Sequence, residues 1–387
     1  MEIKELGEKY KQYIIDLRRE FHAYPEPSLY EFKTSEKIKR ELDNMGISYV
    51  PIASGTGVLA TIKGKKEGKT VALRADIDGL SVEECNNVEY KSQNKGYMHA
   101  CGHDCHIAML LGAAKILNDI KDELNGTVKL MFQPAEEVAE GAKRMIKEGA
   151  LEGVDGVFGI HVWSDIEYGK VCVEEGPRMA SADLFTIKVK GKGGHGSAPH
   201  QGIDAVVASS AIVMNLQSIV SREISPLENA VVSVGSLKAG SRFNVIASEG
   251  ILEGTTRCFN PEIRENFPKI LERVAKNTAE AYRATAELEY NFATPVVIND
   301  VKCSKIASGA AKKVGIETTH LEKISGGEDF GEFMNRVPGV IALLGVRNLE
   351  KGACYPQHHP NYSVDEDALP LGSSLYAQYA VDFLNEQ

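Results

Sequence analysis

Four short, mostly apolar runs constrain this chain more than anything else in it. They are TVALRA (70–75), TVKLMF (127–132), VFGIHV (157–162) and VIALLG (340–345). Runs of this length, with few polar interruptions, suit strands buried on both faces. Helical patterns lie between and beyond them. One covers LYEFKTSEKIKRELDNMG, with Gly46 placed to end it, and another covers IAMLLGAAKILNDI, apolar on most faces. A third is AKRMIKEGAL, and LPLGSSLYAQYAVDFLNEQ closes the chain. The N-terminal segment is an amphipathic helix on the spacing of Tyr10, Tyr13, Ile14, Leu17 and Phe21. Strands alternating with helices predict an α/β fold: a mostly parallel sheet covered by helices on both faces.

The pattern changes near Ala182. Phe185, Ile187 and Val189 alternate with polar neighbours, as in a half-exposed strand. A helix over GIDAVVASSAIVMNLQSIV, two strands, a long helix through Pro268 and a last strand over ELEYNFATPVV follow. The order β-α-β-β-α-β is that of a ferredoxin-like α+β unit. With 387 residues, two domains are expected. The predicted division is 1–182 plus 296–387 for the α/β domain and 183–295 for an inserted lid.

A net charge of −10, from 44 basic and 54 acidic side chains, and the lack of any basic stripe argue against a nucleic-acid partner. The sequence shows no stretch of roughly 18 uninterrupted apolar residues, so no membrane association is expected. The charged N-terminus lacks the apolar core of a signal peptide. Seven scattered cysteines are poor material for a disulfide framework. Together these predict a cytoplasmic protein.

The chemistry-bearing residues gather where strands end, which is where open α/β sheets place their sites. Asp76 and Asp78 end the first run, Glu136 and Glu137 follow the second, and His161 ends the third. HACGHD, with Cys101, His103 and Asp104, precedes the apolar helix, and QHHP (357–360) follows the fourth run by one loop. Each is unremarkable alone: a core histidine, a solvated pair of glutamates, a loop thiol. Together they offer thiolate, imidazole and carboxylate ligands suited to Zn²⁺, Mn²⁺, Ni²⁺ or Co²⁺. A structural zinc site would use four Cys/His ligands at short spacing. Candidates spread over some 260 residues that include carboxylates favour a catalytic centre, with room for two metals about 3.5–4 Å apart. Of two adjacent glutamates, one can bind metal while the other works as general base, then acid. Cys101 and Cys105 do not match the redox Cys-x-x-Cys spacing, and Cys105 is read as packing.

LRADIDGLSVEE, HACGHDCHIAMLLGAA, FQPAEE, GIHV, GKGGHGSAPHQGIDAV, GTTRCF, SGGEDFGEF and HHPNYSVDEDAL resemble, in order, the motifs of the M20 metallopeptidase clan. The likeness is to its amidohydrolase branch: aminoacylase-like N-acyl-amino-acid hydrolases, hippurate hydrolases, N-acetyl-diaminopimelate deacetylases and auxin-conjugate hydrolases. It spans essentially the whole chain, and it specifies the family far better than the substrate. The resemblance implies a two-metal catalytic domain and a ferredoxin-like lid that forms a homodimer. It implies Cys101, His103, Glu137, His161 and His358 as ligands, with Cys101 bridging, and Glu136 as base. His358 is chosen over His359 because the pattern is histidine, one variable residue, then proline. Asp78 would orient a ligand from behind, and Asp104 would do the same or cap the helix. In the lid, His195 would donate to the oxyanion, while Asn244 and Arg257 hold the substrate carboxylate. Gly327, Glu328 and Asp329 would line the pocket. One departure is Cys105, where this branch has glycine.

The function these features imply is metal-dependent hydrolysis of the amide bond of N-acyl amino acids, with metal-bound hydroxide as nucleophile. A dipeptidase or carboxypeptidase of the same clan is the alternative. A silent ligand-binding protein is disfavoured by the complete set of ligands and base.

Overall fold

The computed structural model describes residues 2–386. The chain divides into two compact units, Met1–Gly176 with Ile298–Glu322 and Asp329–Gln387, and Pro177–Val297 with Lys323–Glu328. The short segment Lys323–Glu328 goes with the smaller unit because Ile324 hydrogen bonds on both sides of Met179, its N–H donating to Arg178 O and its carbonyl accepting from Ala180 N–H.

The larger unit is built on an eight-stranded sheet. Its order is Ser48–Ile52, Gly57–Lys63, Asn125–Gln133, Lys66–Asp76, Gly156–Glu167, Gly339–Arg347, Lys170–Cys172, Glu317–Thr318. The central pairings, Asn125–Gln133 with Lys66–Asp76, Lys66–Asp76 with Gly156–Glu167, and Gly156–Glu167 with Gly339–Arg347, are parallel. Antiparallel strands lie toward the edges. Helices cover both faces. Phe158 stacks on Tyr379 of the C-terminal helix Ala368–Asn385. One residue on, Gly159 faces Phe330 on the opposite side.

The helix His103–Asp119 is buried almost all round, as its apolar sequence predicts. Its first residue is therefore held deep in the protein, and that residue is a candidate ligand. The helix Phe32–Met45 stops at Gly46 in the left-handed conformation, φ 67°. The N-terminal segment differs from expectation. It forms two helices, Ile3–Lys9 and Lys11–Ala23, broken at Tyr10.

The smaller unit carries an antiparallel sheet in the order Ala230–Ala239, Glu249–Cys258, Ser181–Lys190, Thr285–Thr294. Helices Ala205–Ser218 and Pro261–Ala281 pack on it through a separate core that includes Phe185, Ile187, Ile212, Leu216, Leu252, Phe267 and Leu271. Strand order and connectivity are those of the ferredoxin-like arrangement.

The stretch Ala205–Glu223 is long and apolar enough to cross a membrane by length and composition alone. A scan for uninterrupted apolar runs misses it because serines, an asparagine and a glutamine are interspersed. Ala205, Ala208, Ile212 and Leu216 are buried against the unit's own sheet, while Val206, Val207 and Met214 face outward.

Candidate metal centre

The candidate ligands of the larger unit converge. Cys101, His103 and His161 place ligand atoms within 4.8 Å of one another, as do Cys101, Glu137 and His358, and His103, Glu136 and Glu137. They arrive on four separate segments, 101–103, 136–137, 161 and 358, and local geometry fixes each.

His103 opens its helix after Gly102, which is left-handed at φ 92°. A Cβ at Gly102 would collide with Val162 and Tyr362, so only glycine lets the Cys101–His103 loop lie this close to the sheet. His103 Nδ1 donates to the Asp78 carbonyl (2.9 Å) and lies 3.2 Å from its carboxylate. A carbonyl only accepts, so the proton sits on Nδ1 and Nε2 offers its lone pair to the site. His161 Nδ1 likewise donates to Val162 O (2.7 Å), leaving Nε2 toward Cys101 Sγ at 3.5 Å.

His161 does not end its strand, which runs on to Glu167. Its pairing with Lys66–Asp76 stops at Gly159, while pairing with Gly339–Arg347 continues to Arg347. His161 therefore emerges at a one-sided step in the sheet's carboxyl edge.

Glu136 and Glu137 ride on a tight turn after Asn125–Gln133. Ala135 and Ala139 are left-handed, φ 54° and 56°. The turn is closed by Glu140 and Gly141 N–H groups donating to Ala135 O. Gly141 is required, because a Cβ there would run into Pro134 O. His358 is also left-handed, φ 66°, held by its N–H donating to Ala100 O (2.8 Å), next to Cys101. Its neighbour His359 instead stacks on Tyr355.

The electrostatics call for a cation. His103 Nε2 and Glu137 Oε1 are buried, 3.8 Å apart, and neither has a hydrogen-bond partner. His358 Nε2 lies 3.9 Å from the same Glu137 oxygen. Burial pushes the Glu137 carboxyl up to about 7 and raises the Cys101 thiol, Glu137 adding to the latter. Orphaned lone pairs and acids that resist ionisation are what a divalent cation would resolve. The donors are two imidazoles, a thiolate and a carboxylate, with a third imidazole at the rim. This set fits Zn²⁺, Mn²⁺, Co²⁺ or Ni²⁺.

Supporting groups sit behind the ligands. Asp78 Oδ2 accepts from Ser28 Oγ (2.7 Å) and from Glu137 N–H (3.1 Å), so one carboxylate orients His103 and Glu137 together. Asp76 is buried between Arg74 Nη1 (2.7 Å) and His106 Nδ1. His106 Nε2 accepts from Val162 N–H (2.9 Å), which makes it a neutral strut, and burial lowers it to about 4.

Two expected placements differ. Asp104 does not support a ligand; its carboxylate takes Arg18 Nε and His22 Nδ1, both at 2.8 Å. Nor does it cap the helix by a side-chain bond, since the cap residue is Gly102. Asp329 sits beside the base in a buried network, a carboxylate oxygen within 4.8 Å of one of Glu136's. It is fully buried and bonded to Arg74, Gln133 and Ala142 N–H. Gly327 packs against Thr294 and Ala182, where a Cβ would clash.

In the smaller unit, His195 pairs with Val245 across a two-residue ladder, and Gly196 N–H donates to Asn244 O, so His195 and Asn244 are neighbours. Ser197 N–H and Oγ donate to His195 Nδ1 (3.1 and 2.7 Å), which leaves the proton on Nε2. Arg257 is half-buried on Glu249–Cys258 and donates to Thr256 O (2.9 Å). The pattern alone did not reveal Ser28, His106 or Glu31, a buried residue whose carboxylate bonds Ala135 N–H. Their partners lie tens of residues away, and each looks like an ordinary polar residue of its own segment.

A family model described as Peptidase family M20/M25/M40 matches residues 72–382. The chain belongs to this family. It is 42% identical over 369 residues to an N-acetylcysteine deacetylase of Bacillus subtilis, covering 95% of this chain and 96% of that protein. It is 40% identical over 384 residues to thermostable carboxypeptidase 2 of Saccharolobus solfataricus, covering 97% and 96%. A solved dinuclear metal binding peptidase of the M20 family from Bacillus subtilis superposes with a TM-score of 0.87 at 38% identity, over 97% of this chain and 99% of that one.

Proposed function

We propose that this protein is a metal-dependent amidohydrolase that cleaves N-acyl amino acids to a carboxylic acid and a free amino acid. The observation that carries the reading is the convergence of Cys101, His103, Glu137, His161 and His358 around orphaned ligand atoms, with Glu136 beside them. These five residues would hold two divalent cations, which supply Lewis acidity toward the amide carbonyl and acidify water. Glu136 takes a proton from the attacking water and returns it to the departing nitrogen. One water adds across the C–N bond, the acyl carbon keeping the hydroxyl and the amine keeping the proton. Asp78 holds His103 and the Glu137 backbone in register throughout.

In the smaller unit we assign His195 Nε2–H to the oxyanion, and Asn244 and Arg257 to the substrate carboxylate; Arg suits a carboxylate because its planar fork binds bidentately. The outward apolar residues Val206, Val207 and Met214 support a homodimer through this unit, since adjoining apolar groups on one helix face favour association. The carboxypeptidase relative favours a second reading, in which the acyl group is itself an amino acid or peptide.

A screen of metal-reconstituted protein against acetyl-, benzoyl- and long-chain-acyl amino acids, with dipeptides included, tests the proposal. Release of free amino acid that chelation abolishes is expected. Amidase activity untouched by chelation refutes it. Mixing His195→Ala with Glu136→Gln protein, with subunit exchange, tests a role for His195 across a dimer. Restored turnover is expected.

A further inference from the structure

We propose that Glu31 is a positioning residue for Glu136, holding the strained turn that carries the base; this rests on the reading of Glu136 as base given above.

Glu31 precedes the helix Phe32–Met45 in the cap position, yet its side chain makes no capping bond to that helix. It reaches instead across 104 residues of sequence, where Oε1 accepts from Ala135 N–H at 2.7 Å. The residue is fully buried, and Oε2 has no partner. A site chosen only for packing would carry an apolar side chain, because a carboxyl group with one oxygen unsatisfied is costly to bury.

What the contact holds is specific. Ala135 is a non-glycine residue in the left-handed region and immediately precedes Glu136. Alanine relaxes out of that region unless its surroundings forbid it. The carbonyl side of Ala135 is fixed by Glu140 and Gly141 N–H. The N–H side is fixed by Glu31. Releasing it frees the 134–135 peptide and with it φ of Ala135, so Ala135 leaves the left-handed region and the segment that carries both glutamates shifts. The same short segment also anchors the other half of the site. Ser28 Oγ donates to Asp78, and Gly79 N–H donates to Glu26 O (2.7 Å). Residues 26–34 thus clamp both the orienting carboxylate and the base-bearing turn.

Steady-state kinetics at saturating Mn²⁺ on Glu31→Gln and Glu31→Leu test this. Gln keeps a carbonyl acceptor for Ala135 N–H, so its kcat stays within about threefold of wild type. Leu lacks an acceptor, so kcat falls about 10–100-fold while KM moves less than about threefold. If Leu lowers only the melting temperature and leaves kcat per folded enzyme unchanged, Glu31 is merely structural and the proposal fails. Should Glu31→Leu not fold, Glu31→Asp replaces it: one methylene shorter, it loses the contact, and the same fall in kcat is expected or the proposal fails. Ala135→Gly then checks the route. Glycine has no left-handed penalty to hold, so the Leu effect shrinks to below about fivefold in that background. An undiminished effect overturns action through Ala135. Glu136→Gln, assayed alongside, separates the two ideas. If it retains near-wild-type turnover, the base assignment is wrong; if it is dead while Glu31→Leu keeps full kcat, only the role of Glu31 is lost.

Discussion

Asp78→Asn should weaken metal binding without disturbing the fold. The wild-type carboxylate faces two ways. Oδ1 lies 3.2 Å from His103 Nδ1, and Oδ2 accepts from Ser28 Oγ and Glu137 N–H. An asparagine has one oxygen and one NH2 group, so it can serve one side only. With its oxygen toward His103, its NH2 meets the Glu137 N–H, donor against donor, and that N–H loses its acceptor. With the amide flipped, the NH2 meets the proton on His103 Nδ1. Either arrangement leaves a buried donor unsatisfied, at about 1–3 kcal/mol. The negative charge that strengthens His103 as a ligand is lost as well. The shape is unchanged, and the Asp78 carbonyl still accepts from His103. The expected result is a 10–100-fold weaker metal affinity, the usual range for such partners, or about 1.4–2.8 kcal/mol. Competition against a chromophoric chelator with Zn²⁺ or Mn²⁺ reads this directly, and denaturation of the metal-free protein checks the fold. A dissociation constant within about twofold of wild type would show that Asp78 does not orient the ligands, and the reasoning would fall.

Other expectations follow from the same structure. Glu136→Gln should cut turnover by at least about 10²-fold with metal content, read by elemental analysis, unchanged. Cys101→Ala should lower metal stoichiometry and remove most of the gain in melting temperature that metal gives the wild type. Arg18→Met takes the guanidinium from the buried Asp104 carboxylate, bonded at 2.8 Å; a loss of about 3–5 kcal/mol in chemical denaturation is expected, and the double variant Arg18→Met/Asp104→Leu should recover part of it. The Glu31 carboxyl is raised by burial from 4.5 to about 7. A raised acid favours the folded state fully below its unfolded value and loses that contribution as pH rises through its folded value. Wild type should therefore lose roughly 3 kcal/mol between pH 4.5 and 8 from this group, a component that pH-dependent melting of Glu31→Gln should lack.

Much of the floor of the site was readable because its residues lie at strand ends, and apolar runs announce strands. Cys101, His103, Glu136, Glu137 and His358 need only the strand order to meet. His161 was harder to place. Its strand outlasts its neighbour, and sequence does not show where pairing stops. Supporting residues were misread for one reason: a short polar side chain advertises a local role. Asp104 looks like a helix cap but pairs with Arg18, 86 residues away. Asp329 lies beside Glu136 but also ties Arg74 to Gln133. Glu31 carried no reading at all from the sequence, since the turn it serves lies 104 residues away. Such partnerships become visible only when the chain is folded.

Gly102, Gly141 and the left-handed Ala135 and His358 leave the floor of the metal centre little freedom to vary, since most replacements there meet backbone or a buried side chain. His195, Asn244 and Arg257 lie in a unit with a hydrophobic core of its own. Each unit packs around its own core, so under the reading proposed above, substitutions that adjust how these three groups are held can accumulate in the smaller unit while the core beneath the ligand set stays as it is.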